Sequence, residues 1–248
     1  MDIEPLWSWL NCTKRSSGCN SEYYADNIGR FCTYNSCNYI FSICNKLKAP
    51  HPVYFISIIL YDRYLFYELQ YVFKNCFDVD SSQIKQMLIL IQIATKLVDR
   101  RKILKTSALL KIFKKLLIET DIEHIVKSEV YVFWRLQDDL LCFDFLIPVE
   151  YLAQFSDLVS EKIDLQMVND FLYLIVTNLP DLIGEIRSIF GKNIESHICL
   201  RILSASAVVC ATLNNSKLFY AYSRICCFTL NCSVHELLAV VYSIFSLI

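Results

Sequence analysis

The chain has 248 residues, of which 55% are hydrophobic and 20% charged, with a formal net charge of -1. That length supports one large core or two compact ones without disulfide or metal staples, and that balance excludes a disordered chain and supplies no global charge excess for a polyanionic partner. Only four glycines are present, and no G-x-G-x-x-G or Walker A pattern occurs, which argues against a nucleotide-binding loop.

In chain order, residues 1–30 read as an N-terminal arm that docks on the body, with one apolar patch at Leu6-Trp7-Ser8-Trp9-Leu10 followed by the polar run Lys14-Arg15-Ser16-Ser17-Gly18. Helical periodicity begins near Phe31 and places Tyr39, Ile40, Ile43 and Leu47 on one face. After Pro50, Pro52 suits the first turn of a helix whose Val53, Phe55, Ile56, Ile59, Leu60 and Tyr64 leave almost no polar side, the pattern of a buried central helix. Asp80-Ser81-Ser82 can cap a third helix carrying Ile84, Met87, Leu88, Ile91 and Leu97. A fourth is expected over 106–118 and a fifth from Asp121 to about Leu136. Pro148 and the acidic stretch after it mark a boundary, and a second set is expected over 149–159, 165–178, 180–190, 194–213, 217–228 and 233–248. No strand pattern of convincing length occurs. The economical architecture is all-α, two adjacent bundles of about five helices, one over 31–147 and one over 148–248.

The mean hydropathy of +0.37 invites a membrane reading. The apolar runs are too short for a spanning helix of roughly 20 residues: the run from Pro52 stops at Asp62-Arg63, and the run from Ile202 carries Ser204, Ser206 and Thr212 before Asn214. Met1-Asp2-Ile3-Glu4-Pro5 places acids where a signal peptide would carry bases, so a soluble chain with no membrane partner is expected. The 12 cysteines include no C-x-x-C and no zinc-finger spacing, so a reducing compartment, buried thiols, no metal and no cofactor are expected. His51, His124, His197 and His235 are scattered, and with no Ser-His-Asp or metal signature the chain is not expected to be an enzyme.

Four segments resemble, in order, the motifs of the cyclin family. Tyr54-Phe55-Ile56-Ser57-Ile58-Ile59-Leu60-Tyr61-Asp62-Arg63-Tyr64-Leu65 is similar to the second cyclin-box helix, which typically ends in Asp-Arg-Phe-Leu. Ile89-Leu90-Ile91-Gln92-Ile93-Ala94-Thr95-Lys96 resembles the third helix, ending in Ala-Ser-Lys, and Glu129 stands where the fifth helix carries its Glu. Phe143-Asp144-Phe145-Leu146-Ile147-Pro148-Val149-Glu150-Tyr151-Leu152 resembles the linker to a second box, and Ala205 to Leu213 with Cys227-Phe228-Thr229-Leu230 looks like that box's small-residue helix and closing turn.

The resemblance implies a cyclin-like fold and a non-catalytic regulator that binds and activates or targets a cyclin-dependent kinase through Lys96 and Glu129, with Leu97 and Phe143 as apolar companions. A surface lysine and a solvated glutamate remain the plainer alternative for the pair. The usual Arg partner of Asp62 is missing, with Thr33 near its place and Arg30 one turn away, and Asp62 with Arg63 is read as a helix-end ion pair. The family's Met-Arg-x-x-Leu docking patch is absent, and residues 137–141 look inserted. These departures resemble the cyclin N-terminal domain-containing proteins of meiotic crossover sites, which implies mismatch-repair-type recombination factors as further partners and a nuclear, chromosomal location, with the cytoplasm also open. The alternative is a cyclin-fold scaffold that binds DNA or recombination and transcription proteins without a kinase. The run Arg100, Arg101, Lys102 and Lys105, continued by Lys111, Lys114 and Lys115, is a surface that could meet the phosphates of DNA or an acidic partner, although such a run is more often simply a solvated face.

Overall fold

The computed structural model describes residues 28–69, 81–98, 104–136, 149, 162–194 and 196–248, and every regular element among them is an α-helix. The first set comprises α1 (Tyr34–Leu47), α2 (His51–Leu69), α3 (Ser81–Val98), α4 (Thr106–Lys115) and α5 (Ile122–Leu136). The second comprises α6 (Leu165–Thr177), α7 (Leu179–Phe190), α8 (Ser196–Ala211), α9 (Ser216–Leu230) and α10 (Val234–Phe245). The arm's residues 1–27, the linker around Phe143 and the helix expected over 149–159, Val149 apart, lie outside the described residues.

Each set is organised round its most apolar helix. Val53 to Tyr64 of α2 are buried without interruption, and α2 packs against α1, α3 and α5. In the second set α8 does the same, burying Leu203, Ser204, Ala205, Ser206, Ala207, Val208 and Val209 and touching α6, α7, α9 and α10. Small residues along α8 let four neighbours approach one axis. Two of the buried hydroxyls bond within their own helix: Ser57 Oγ donates to Val53 O at 2.6 Å and Ser204 Oγ to Arg201 O at 3.1 Å, so these two side chains do not leave a donor unmade.

Local signals start most helices. Thr33 Oγ1 accepts from Ser36 N–H at 3.3 Å, Asp164 Oδ1 from Gln166 and Met167, and Asn215 Oδ1 from Lys217 and Leu218. Ser233 and Glu236 form a reciprocal capping box at α10. The ends are less legible, because the chain is poor in glycine. Three helices stop at a left-handed residue that is not glycine: Lys48 (φ 52°), Leu117 (φ 57°) and Asn231 (φ 52°). After α4 the Ile118 N–H donates to Phe113 O at 3.0 Å and the Leu117 N–H to Lys114 O at 3.2 Å, which ends the helix three residues short of the expected 118. The same arrangement closes α9, where the Cys232 N–H donates to Cys227 O at 3.0 Å.

Asp62 stands within a helix and not at its end, which corrects the sequence expectation of a helix-end position. Helix α2 continues to Leu69, and the buried Asp62 carboxylate accepts three backbone N–H groups from the segment before α1: Gly29 at 2.6 Å, Phe31 at 2.8 Å and Cys32 at 2.7 Å. These bonds explain why α1 starts only at Tyr34, since the N–H groups before its Thr33 cap point to Asp62.

Gly29 joins the two sets. Its φ is 79°, and a Cβ placed on it would lie 2.8 Å from Leu179 Cβ and 3.1 Å from Pro180 Cδ at the start of α7. Beside it α6 packs against α1 and α2, with Tyr173 donating to Asn38 and Phe41 meeting the Tyr173 ring edge-on at 4.4 Å between centroids. Gly29→Ala is therefore expected to destabilise by about 2–3 kcal/mol, combining the left-handed backbone with overpacking, and to lower Tm by roughly 5–10 °C. Thermal unfolding of the variant checks this. A Tm within about 2 °C of the parent would mean that the junction yields freely.

No single helix among the described residues is long and apolar enough to cross a membrane. Eight described cysteines are free thiols, and Cys37, Cys44, Cys199, Cys210 and Cys226 are buried. Burial pushes the Cys44 and Cys210 thiols up to about 12 and Cys199 to about 11, so these side chains act as small core residues rather than nucleophiles.

Candidate partner-binding site

The end of α3 is held tightly before it presents its charge. Gln92 Nε2 donates to Leu104 O and to Thr106 Oγ1, each at 3.2 Å, and Thr95 Oγ1 accepts the Leu104 N–H at 3.2 Å. The start of α4 is thereby pinned against the last turns of α3. The next residue, Lys96, sits in that last turn, where the carbonyl end of the helix favours a cation.

Glu129 lies on the inner face of α5 with Ile125, Val132 and Leu136. Lys96 Nζ is ion-paired and hydrogen-bonded to Glu129 Oε1, joining α3 to α5. The side chains differ in exposure, 35% for Lys96 and 11% for Glu129, so the carboxylate lines the core boundary and the ammonium caps it at the surface. Neither has another partner among the described residues. The structure therefore brings together the two residues singled out in the sequence. Leu97 is half-buried against the core beside them. Phe143, Arg100, Arg101 and Lys102 lie outside the described residues, and Lys105 is exposed just before α4, where it makes no side-chain cap.

Next to the pair runs an apolar stripe. Ile122, Val126, Val130 and Trp134 follow one another at four-residue intervals along α5, and all four are exposed, Val130 at 62% and Trp134 at 67%. Glu129 stands three residues after Val126, on the adjoining line of the same helix. Such a spacing was readable in the sequence as a second apolar face on α5, opposite in sense to a solvated one.

One end of the stripe is braced by groups distant in sequence. Tyr131 O–H donates to Glu68 Oε1 at 2.6 Å, Arg135 Nε donates to Tyr131 Oη at 2.8 Å, and Arg135 also pairs with Glu68 at 3.2 Å. The Arg135 guanidinium carbon lies 5.2 Å from the ring centroids of both Tyr131 and Trp134. Burial and the Glu68 carboxylate push the Tyr131 phenol above its ordinary pKa. An exposed tryptophan held this way loses little freedom on meeting a partner, the property of an interface anchor.

His124 Nδ1 contacts the Asp121 cap at 3.0 Å on the surface, His51 and His235 are exposed and far from the pair in sequence, and among the described residues no three His, Cys, Asp or Glu side chains gather as a metal site. An open groove of about 610 Å³ between the ends of α7 and α9 is lined by Phe190, Ile194, Ile198, Ile202 and Leu230 with Lys192 and Asn231, and among the described residues no Ser, Cys, His, Asp or Glu side chain lines it. Scanned against models of protein families and against curated proteins, the sequence matches none.

Proposed function

We propose that the chain is a non-catalytic, cyclin-like regulatory protein that binds a cyclin-dependent kinase and activates or targets it. The single observation that carries this is the Lys96–Glu129 pair at the edge of an exposed apolar stripe on the neighbouring turn of α5. A lysine has three N–H donors, and only one is spent on Glu129, so the others can meet carbonyls at the end of an incoming helix. Glu129 keeps acceptor capacity for its N–H groups. Burying Trp134 and Val130 supplies the apolar part of the contact, each contributing about 1.5–3 kcal/mol before ordering costs. Contact with a mobile kinase helix would shift it toward its active arrangement.

The finer form of this proposal, action at meiotic crossover sites in the nucleus beside mismatch-repair-type recombination factors, rests on the sequence resemblance. A scaffold that binds DNA without a kinase is the second reading, and the exposed Lys105, Lys111, Lys114 and Lys115 are what favours it. It requires duplex DNA binding that weakens steeply with salt.

Co-purification from dividing and meiotic tissue tests the first reading. The full chain is expected to capture a cyclin-dependent kinase, and Lys96→Ala together with Glu129→Ala, or Val130→Asp together with Trp134→Ala, is expected to lose at least about 90% of the capture. Kinase captured and activated equally well by both double variants would rule out this surface.

A further inference from the structure

We propose that the C-terminal end of α4 is a second docking surface, which takes an acidic protein segment carrying apolar anchor residues. It is separate from the Lys96–Glu129 surface and does not depend on it.

Charge comes first. Lys111, Lys114 and Lys115 are exposed at positions i, i+3 and i+4, on one face of α4, and Lys105 is exposed just before the helix. None of the four has an ion-pair or hydrogen-bond partner among the described residues. Among the described residues from 104 to 118 these four cations stand with no acid, and Glu119 follows directly, so this face of α4 is positive although the whole chain is nearly neutral. Lys114 and Lys115 also answer the carbonyl end of α4, and up to this point a solvated face accounts for everything.

The two leucines that follow have no such account. Leu116 is 46% exposed and Leu117 is 91% exposed, the most exposed large apolar side chain among the described residues. Leu117 also holds the left-handed conformation at φ 57°, where glycine is the unstrained choice and leucine costs about 1 kcal/mol. The other two left-handed helix stops are Lys48 and Asn231, whose polar side chains water satisfies. Leu117 accepts both backbone strain and full hydration in the isolated chain. A side chain in that position gains only when something else covers it.

The partner must therefore offer two things within one turn of helix: anionic groups for three ammonium groups and an apolar surface for the leucines. A nucleic-acid backbone supplies the first and wastes the second, and α4 has no exposed aromatic side chain on which a base could stack, since Phe113 is wholly buried. An acidic amphipathic protein segment uses both.

Binding to the full chain, followed by fluorescence anisotropy at fixed salt, tests this with three probes of matched length: an acidic amphipathic peptide built from Glu and Leu, polyglutamate, and duplex DNA. Leu117→Gly is the informative variant, because glycine relaxes the left-handed turn and keeps the fold while removing the side chain. The Glu–Leu peptide is expected to bind, to weaken about tenfold or more in Lys111→Ala/Lys114→Ala/Lys115→Ala, and to weaken about fivefold in Leu117→Gly. Polyglutamate is expected to respond to the lysine variant and not to Leu117→Gly. Equal affinity of Leu117→Gly and parent for the Glu–Leu peptide would overturn the proposal. Tighter binding of duplex DNA than of the peptide would make the face a phosphate-binding surface instead, and no binding of any probe would make it a solvated one.

Discussion

Asp62→Ala is expected to destabilise the chain by about 3–5 kcal/mol, a large share of the stability of an ordinary domain, and to lower Tm by roughly 10 °C or more. The Asp62 carboxylate is buried in the middle of α2 and receives the N–H groups of Gly29, Phe31 and Cys32. Hydrogen bonds to a charged acceptor are worth more than neutral ones, and alanine leaves three donors without this partner, the buried Gly29 N–H among them. The loss spreads beyond the first helix set, because Gly29 is wedged against Leu179 and Pro180 at the start of α7. Asp62→Asn retains one acceptor oxygen but turns an amide N–H₂ toward donors, so an intermediate loss is expected. Thermal and urea unfolding of both variants measures this. If Asp62→Ala unfolds within about 2 °C of the parent, the carboxylate does not hold the segment and the account of the junction fails.

Exchanging the charges, Lys96→Glu with Glu129→Lys, is expected to separate a structural clasp from a binding surface. The exchanged pair can still bridge α3 and α5, and stability should fall by only about 1 kcal/mol, chiefly because an acid now stands at the carbonyl end of α3. A kinase segment would meet its donors and acceptors reversed, and capture is expected to drop by about two orders of magnitude. Lys96→Glu alone places two carboxylates together at the core boundary, and is expected to be the least stable of the set. Unfolding curves and kinase pull-downs on the same three preparations decide the matter. Parent-level capture by the exchanged chain would leave the pair as a clasp between two helices and send the search for the kinase contact elsewhere.

How much of this was legible depends on the reach of each signal. The buried course of α2 was written in its uninterrupted apolar residues after Pro52, and the starts of α1, α6, α9 and α10 in single side chains one turn from the N–H groups that they cap. The end of α4 was overrun because the residue that turns the chain there is a leucine, which carries no composition signal for a left-handed stop. Asp62 was noticed, but its backbone donors were not. Its donors lie 30 to 33 residues upstream, and nothing local marks them. The apolar stripe on α5 was open to periodicity, whereas the brace beneath it depends on Glu68, 63 residues before Tyr131.

By itself, the sequence determined that this protein is built from helices and which side of most of them faces inward, because periodicity and capping act within one or two turns of chain. Which charges meet was a tertiary decision. Lys96 and Glu129 stand 33 residues apart on different helices, and only the packing of α3 against α5 puts the ammonium over the carboxylate and leaves an apolar stripe beside it uncovered.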